Sequence, residues 1–213
     1  MFILGIVGSP AGGKSTVAGR LQELGAEWIN ADLVARSVLE QADVQRQLIT
    51  HFGDQIVGPD GQIDRGKMAS LVFGDDDASR GALRYLEGVL HPRTRSRISD
   101  QLRECADRGV IAVVLDVPLL FKSGWDQSCD EIWCVDSDRS IRMKRAADRG
   151  WDPNELARRE ANQVDIEDKK RLSNFVILNN GSLEELYMNV DRLWTSFLNR
   201  DTKESPPSSS HCP

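Results

Sequence analysis

The sequence predicts an α/β fold: a P-loop three-layer arrangement with a five-stranded parallel sheet, an inserted helical substrate domain and a helical lid. Three observations predict it. Short apolar, β-branched runs alternate with helical stretches along most of the chain, the signature of a parallel sheet covered on both faces. The first run leads directly into Gly8-Ser9-Pro10-Ala11-Gly12-Gly13-Lys14-Ser15, which fits the phosphate-binding pattern G-x-x-x-x-G-K-[ST]. The stretch between the second and third runs, residues 32–108, far exceeds the roughly dozen residues that a crossover helix requires. A chain of 213 residues suffices for one sizeable core carrying such an insertion.

Taken in order, Phe2-Ile3-Leu4-Gly5-Ile6-Val7 is continuously apolar and reads as a buried parallel strand. The loop after it turns backbone N–H groups inward as an anion-binding nest, and the helix from Ser15 adds the positive end of its dipole. Lys14 is placed to reach the β- and γ-phosphates of ATP, and the Ser15 hydroxyl to ligate Mg²⁺. Gly8, Ser9, Pro10, Ala11, Gly12, Gly13, Lys14, Ser15 and Thr16 are therefore the expected nucleotide-binding set.

A short second strand is expected at 26–30, followed by Asn30-Ala31-Asp32. Ligands of open parallel sheets bind beyond the carboxyl ends of the strands. Asp32 can there accept a proton from a hydroxyl attacking ATP, or it can cap a helix that starts at Leu33; the two readings are compatible. The insertion carries helical patterns at 42–52 and 81–108 and is expected to hold the substrate. His91, alone, reads as structural.

Val110-Ile111-Ala112-Val113-Val114-Leu115 is the clearest later strand. Asp116 ends it, where a P-loop protein places the carboxylate that supports Mg²⁺, although an Asp there can equally start a turn. Glu131-Ile132-Trp133-Cys134-Val135 and Phe175-Val176-Ile177-Leu178 complete the sheet. Between them, residues 138–168 are dense in Arg and Lys and read as a lid. Arg142, Arg145 and Arg149, at i, i+3 and i+7, lie near one helical face. They either neutralise charge during phosphoryl transfer or form a solvated basic face. Asp152-Pro153 reads as a helix N-cap with proline in the first turn, and Ser182 with Glu185 as a capping box. The expected divisions are a nucleotide-binding core of 1–31, 109–137 and 169–200, the insertion 32–108, the lid 138–168, and a disordered serine- and proline-rich tail at 201–213.

A net charge of −6 points to a small nucleotide and away from nucleic acid, which favours broad basic faces. Cys105, Cys129, Cys134 and Cys212 form no C-x-x-C pair, so reduced thiols and no zinc site are expected. No basic leader with a cleavage site precedes the first strand, and that strand is too short to cross a bilayer. A cytoplasmic protein without membrane partners is the expectation.

Several phrases occur together and in order: Gly5-Ile6-Val7-Gly8 with the loop through Thr16, Asn30-Ala31-Asp32, Ile63-Asp64-Arg65 and His91-Pro92-x-x-Arg95. Asp116-Val117-Pro118-Leu119-Leu120-Phe121, Val135-Asp136, the 142–149 arginines, Gln163 and Asn179-Asn180-Gly181 follow. This set, from Phe2 to about Leu193, resembles the dephospho-CoA kinase family, whose activity is the last step of coenzyme A biosynthesis. The Pro-Leu-Leu-Phe phrase with His-Pro upstream makes the resemblance specific. It implies ATP-dependent phosphorylation of the ribose 3′-hydroxyl of dephospho-CoA, with Mg²⁺, by a P-loop core, a helical CoA-binding domain and a lid. It implies Asp32 as base, Lys14, Arg142 and Arg145 as catalytic, and Arg149 and Asn179 at the nucleotide, Asn179 near the adenine. Substrate contacts are implied at Asp32, Arg36, His91, Arg95, Pro118 and Leu119, and metal contacts at Ser15 and Asp116. Departures are Asn30 where the family usually has Asp, Lys122 where it commonly has Glu, and the tail. Another P-loop small-molecule kinase, acting on a nucleoside or nucleoside monophosphate, is the alternative. A GTPase would show Asn-Lys-x-Asp after a late strand, which Leu178-Asn179-Asn180-Gly181-Ser182 does not supply.

Overall fold

The first apolar run becomes the middle of the sheet. In the computed structural model, which describes residues 1–74 and 76–201, the strands are β1 (Phe2–Gly8), β2 (Glu27–Asn30), β3 (Ala112–Asp116), β4 (Glu131–Asp136) and β5 (Phe175–Leu178). Their order is β2-β3-β1-β4-β5, with β1 parallel to both β3 and β4, and β4 parallel to β5. The register sets Ile6 opposite Asp116 and Gly8 opposite Val135. The loop after β1 thus begins between the carboxyl ends of its two neighbours, where the connections diverge to opposite sides of the sheet. The expected tail, beyond residue 201, lies outside the described residues.

Alternation along the strands builds two faces. Leu4, Ile6, Val114, Trp133 and Val135 join Val17 and Leu21 of α1 (Lys14–Glu23) and Leu186, Val190, Trp194 and Phe197 of α9 (Leu183–Asp201) in one core. α9 opens with a reciprocal cap: Glu185 N–H donates to Ser182 Oγ at 3.2 Å, and Ser182 N–H to Glu185 Oε2 at 2.9 Å. On the opposite face Gly5 leaves room for Cys129 and Leu120; a Cβ there would lie 2.8 Å from Cys129 Sγ.

The chain forms two compact units, Met1–Trp28 with the chain from Gly109 onward, and Ile29–Arg108. The division falls within β2, three residues before the insertion start expected at residue 32. In the second unit, α2 (Ala31–Leu39), α3 (Ala42–Phe52) and α4 (Arg65–Val72) accompany the long α5 (Asp77–Asp107). Val34, Val38, Val44, Leu48, Ile56, Met68, Val89 and Ile98 are buried there. The phrase Ile63-Asp64-Arg65 is explained structurally: Ile63 is buried, Asp64 Oδ1 caps α4 through Gly66 N–H and Lys67 N–H, and Arg65 pairs with Glu40. α5 runs through Pro92, whose missing N–H costs the helix one bond.

Residues 138–168 fall within the first unit and form α6 (Arg139–Asp148), α7 (Pro153–Ala161) and the approach to α8 (Ile166–Arg171). Asp152 caps α7 by accepting from Glu155 N–H at 2.8 Å.

Candidate functional site

The loop between β1 and α1 is shaped by backbone contacts that exclude side chains. A Cβ on Gly8 would run into the Val135 carbonyl oxygen. Gly13 takes φ 103°, and a Cβ there would strike Asn179 Nδ2. Ala11 is held at φ 60°, a left-handed conformation costing about 1–2 kcal/mol in a non-glycine residue. Its methyl group is buried beside Ala146 and Leu156, with Trp151 packed against them, which offsets part of that cost.

The loop carbonyls point into the protein and are satisfied there. Gly8 O accepts from Lys169 Nζ at 2.9 Å. Gly12 O accepts from Asn179 Nδ2 at 2.9 Å and Ser137 Oγ at 3.0 Å, with Arg145 Nη1 at 3.4 Å. Ser9 Oγ donates to Asp136 Oδ1 at 2.6 Å. Within the backbone, Ser9 N–H donates to Val135 O at 3.3 Å and Gly12 N–H to Ser9 O at 2.9 Å, which hold the curve of the loop. Gly13, the N-cap of α1, offers no side-chain acceptor, and the first N–H groups of a helix have no acceptor within it. The result is a set of donors preorganised for an anion.

Lys14 opens α1 and pairs with Asp116, the last residue of β3; the Asp116 side chain is 4 % exposed. Ser15 follows with its hydroxyl accessible, and Thr16 N–H returns to Gly13 O at 3.0 Å. Asp116 and Ser15 present hard oxygen donors at one end of the loop. Among the described residues no group of three or more His, Cys, Asp or Glu forms a metal cage. Mg²⁺ is usually held by one or two protein oxygens together with substrate phosphates, the kind of donor that Ser15 and Asp116 offer.

Behind the loop lies a charged network. Burial alone would raise the Asp136 carboxyl, but the bonds from Ser9 and Lys170 outweigh it and hold the group below the ordinary carboxylate range. Lys170 Nζ lies 2.9 Å from Asp136 Oδ2, and Arg142 Nε 3.9 Å from Oδ1.

The three lid arginines do not act as one row. Arg142 is buried, donates to Ser137 O at 2.9 Å and pairs with Glu160 of α7, so it ties α6 to α7. Among the described residues the hydrogen-bond partners of Arg145 are neutral oxygens: Ser137 Oγ at 2.9 Å, Asn179 O at 3.1 Å, Asn179 Oδ1 at 3.2 Å and, in the loop, Gly12 O at 3.4 Å. Arg149 falls just past α6 as its C-cap, 5.8 Å from the Trp151 ring centre. The alternative of a purely solvated face fails for Arg142.

Asn179 follows directly after β5. Its side chain is buried against Gly12, and the residue lines a cavity of about 290 Å³ together with Leu178, Asn180, Ser182, Glu185 and Met188.

In the second unit, Asn30 caps α2 by accepting from Asp32 N–H at 3.0 Å and Leu33 N–H at 3.1 Å. Capping thus belongs to Asn30 and not to Asp32, which stands exposed in the first turn of α2. Arg36 lies exposed in the last turn of α2, and His91 and Arg95 are exposed at i, i+4 on α5. In the first unit, Pro118 is half-buried and Leu119 exposed, whereas Leu120 is buried. Lys122 Nζ donates to Asn162 O, at the carboxyl end of α7, at 3.1 Å. This is a favourable place for a cation.

Sequence reasoning missed two groups. Lys169 stands in a Lys169-Lys170-Arg171 run, and nothing in that run marks which residue turns inward. Arg159 lies over the Trp151 ring at 4.3 Å, opposite in sequence to Arg149, so Trp151 contacts two guanidinium groups. A lone Trp between basic turns was the available signal.

Comparison with known proteins is consistent with this geometry. A family model described as dephospho-CoA kinase matches residues 2–185. The dephospho-CoA kinase of Rhodopirellula baltica is 43% identical over 196 residues, covering 92% of this chain and 91% of that one. That of Symbiobacterium thermophilum is 37% identical over 212 residues, 99% of this chain and 87% of the relative. The crystal structure of TT1252 from Thermus thermophilus superposes with a TM-score of 0.77 at 31% identity, over 92% of this chain and 97% of that chain. Dephospho-CoA kinase from Campylobacter jejuni, at 22% identity and a TM-score of 0.70 over 93% of this chain and 98% of its own, shares the fold.

Proposed function

The chain belongs to the dephospho-CoA kinase family, and on that premise we propose how its residues divide the work of phosphoryl transfer. The protein phosphorylates dephospho-CoA with ATP, on the ribose 3′-hydroxyl, giving CoA and ADP. The observation that carries the assignment of roles is the loop itself, with its Gly8 and Gly12 carbonyls bound behind it and the first turn of α1, whose cap offers no side-chain acceptor, directly after it. ATP phosphates bind there, and the first turn of α1 stabilises their charge. Lys14 leaves Asp116 and follows the transferring phosphoryl group; Asp116 and Ser15 are then the residues that would hold Mg²⁺. When bound, Mg²⁺ neutralises charge on the phosphates. Asp32 takes the proton of the attacking 3′-hydroxyl. Arg145, whose hydrogen-bond partners among the described residues are neutral, meets charge developing in the transition state; Arg149 approaches the nucleotide, and Arg142 supports both by holding α7. The cavity that Asn179 lines receives the adenine. Arg36, His91, Arg95, Pro118 and Leu119 contact dephospho-CoA.

The cytoplasm, where ATP and a reducing poise coexist, suits this chemistry and the free thiols of Cys105, Cys129 and Cys134. Among the described residues no helix is long and apolar enough to cross a membrane.

An acceptor panel tests the proposal. Purified protein with ATP and Mg²⁺ should release ADP with dephospho-CoA and at background with nucleosides or nucleoside monophosphates. ADP release with a nucleoside monophosphate alone would instead support a different acceptor site.

A further inference from the structure

α8 ends in three consecutive cations that take different directions. Lys170 reaches Asp136 and Glu167, both at 2.9 Å, and Arg171 reaches Asp168 at 3.0 Å. Lys169 turns inward and is 4 % exposed. Its ammonium donates to two neutral oxygens, Gly8 O at 2.9 Å and the Gln163 side-chain carbonyl. A buried ammonium bonded to neutral oxygens is costly compared with an apolar side chain, so its presence calls for a function.

Its two partners belong to different parts of the site. Gly8 begins the phosphate loop, with no room for a side chain against Val135. Gln163 lies just beyond α7, in the segment leading out of the lid. We propose that Lys169 is a positioning residue for phosphoryl transfer, one ammonium that fixes the first carbonyl of the phosphate loop and the end of the lid together. This rests on the assignment of the loop to the phosphates of ATP. The bond from Lys169 to the Gly8 carbonyl and the bond from Ser9 N–H to Val135 O at 3.3 Å fix both sides of the peptide that opens the phosphate loop. Pulling Gln163 to the same point brings α7 over the loop. The ammonium also lines a cavity of about 180 Å³ with Ser9, Pro10, Arg139, Arg142 and Gln163, between loop and lid.

The charged neighbours come from every element around it: Lys14 of α1, Cys134 and Asp136 of β4, Asp165 at the start of α8, and Arg139, Arg142 and Glu160 around the cavity. Burial pushes Lys169 down to about 8, while it pushes the Cys134 thiol up to about 11, so that thiol stays neutral near pH 8. Deprotonation of Lys169 weakens both bonds, and kcat should fall as pH rises through about 8.

The test is steady-state kinetics of the full chain from pH 6.5 to about pH 9.5, across the Lys169 titration. Lys169→Met should lower kcat about 10-fold or more, since small misplacements in such sites carry losses of that order. KM for dephospho-CoA should change much less, and the decline of kcat above pH 8 should vanish. Lys169→Arg, which keeps the charge, should move that decline to higher pH. Gln163→Ala, which leaves Lys169 in place, should lower kcat in the same direction, and it serves as the test if Lys169→Met does not fold. The inference is overturned if wild type turns over dephospho-CoA but folded Lys169→Met stays within about twofold of it. It is equally overturned if Gln163→Ala is unchanged. A wild type inactive toward dephospho-CoA would refute the functional assignment itself.

Discussion

Asn30 and Asp32 divide two jobs that the sequence pattern alone assigned to one residue. With Asn30 capping α2, Asp32 is released from the helix terminus and its carboxylate is exposed. Asn30→Ala should cost about 1 kcal/mol of stability in urea unfolding with little effect on kcat, the usual price of a lost cap. Asp32→Asn should do the opposite: stability is kept while kcat drops about 10²-fold or more, with ATP binding preserved. A variant that lost only affinity for dephospho-CoA would make Asp32 a binding residue. Lys14 is less simple, because it neutralises a nearly buried Asp116. Lys14→Ala should abolish turnover, a loss on the order of several kcal/mol in the transition state. It should also destabilise the fold by about 1–3 kcal/mol by orphaning the carboxylate. Adding Asp116→Asn should recover stability but not activity, as chemical denaturation and an ADP-release assay would show.

At the scale of elements, most of the molecule was legible because the signals are local. The five strands, the α9 capping box and the Asp152 cap depend on residues a few positions apart, and all stand within a residue or two of expectation. The phosphate loop was legible for the same reason: each glycine answers a backbone need. The lid was not. Whether Arg142 meets phosphate or Glu160 is decided by a helix that begins eleven residues later (153 against 142), and spacing along α6 contains nothing of that. Lys169 is harder still, since its partner Gly8 lies 161 positions away. The structure divides the lid into a braced part, Arg142 with Glu160, and an exposed part, Arg149 and Arg159 about Trp151. ATP with dephospho-CoA should therefore slow hydrogen exchange in α7 far more than in β3, which is buried throughout. Arg145→Ala should lower kcat more than nucleotide affinity. Equal protection of α7 with and without ligands would remove the basis for closure.

At the scale of the whole molecule, stability should carry the signature of one buried cation. The unfolded chain holds the Lys169 proton up to about pH 10.5, whereas the folded chain releases it near pH 8. Between these values the unfolded state binds more protons, so stability attributable to this residue rises with pH and is lost again as pH falls through about 8. Urea unfolding of wild type relative to Lys169→Met should show that rise between pH 8 and 10, opposite in direction to kcat. A flat difference would mean that the ammonium reaches solvent in the native state.

The placement of β1 also governs how the chain comes into being. Its first residue, Phe2, pairs with Ala112, so 110 residues separate partners (112 − 2). At ribosomal rates of about 5–20 residues per second, the most apolar strand waits roughly 5–20 s before either neighbour exists. The second unit, Ile29–Arg108, is continuous in sequence and is synthesised whole within that interval. Its helices should gain protection first in pulse-labelled refolding, and the nascent amino terminus should be a client for factors that shield unpaired strands.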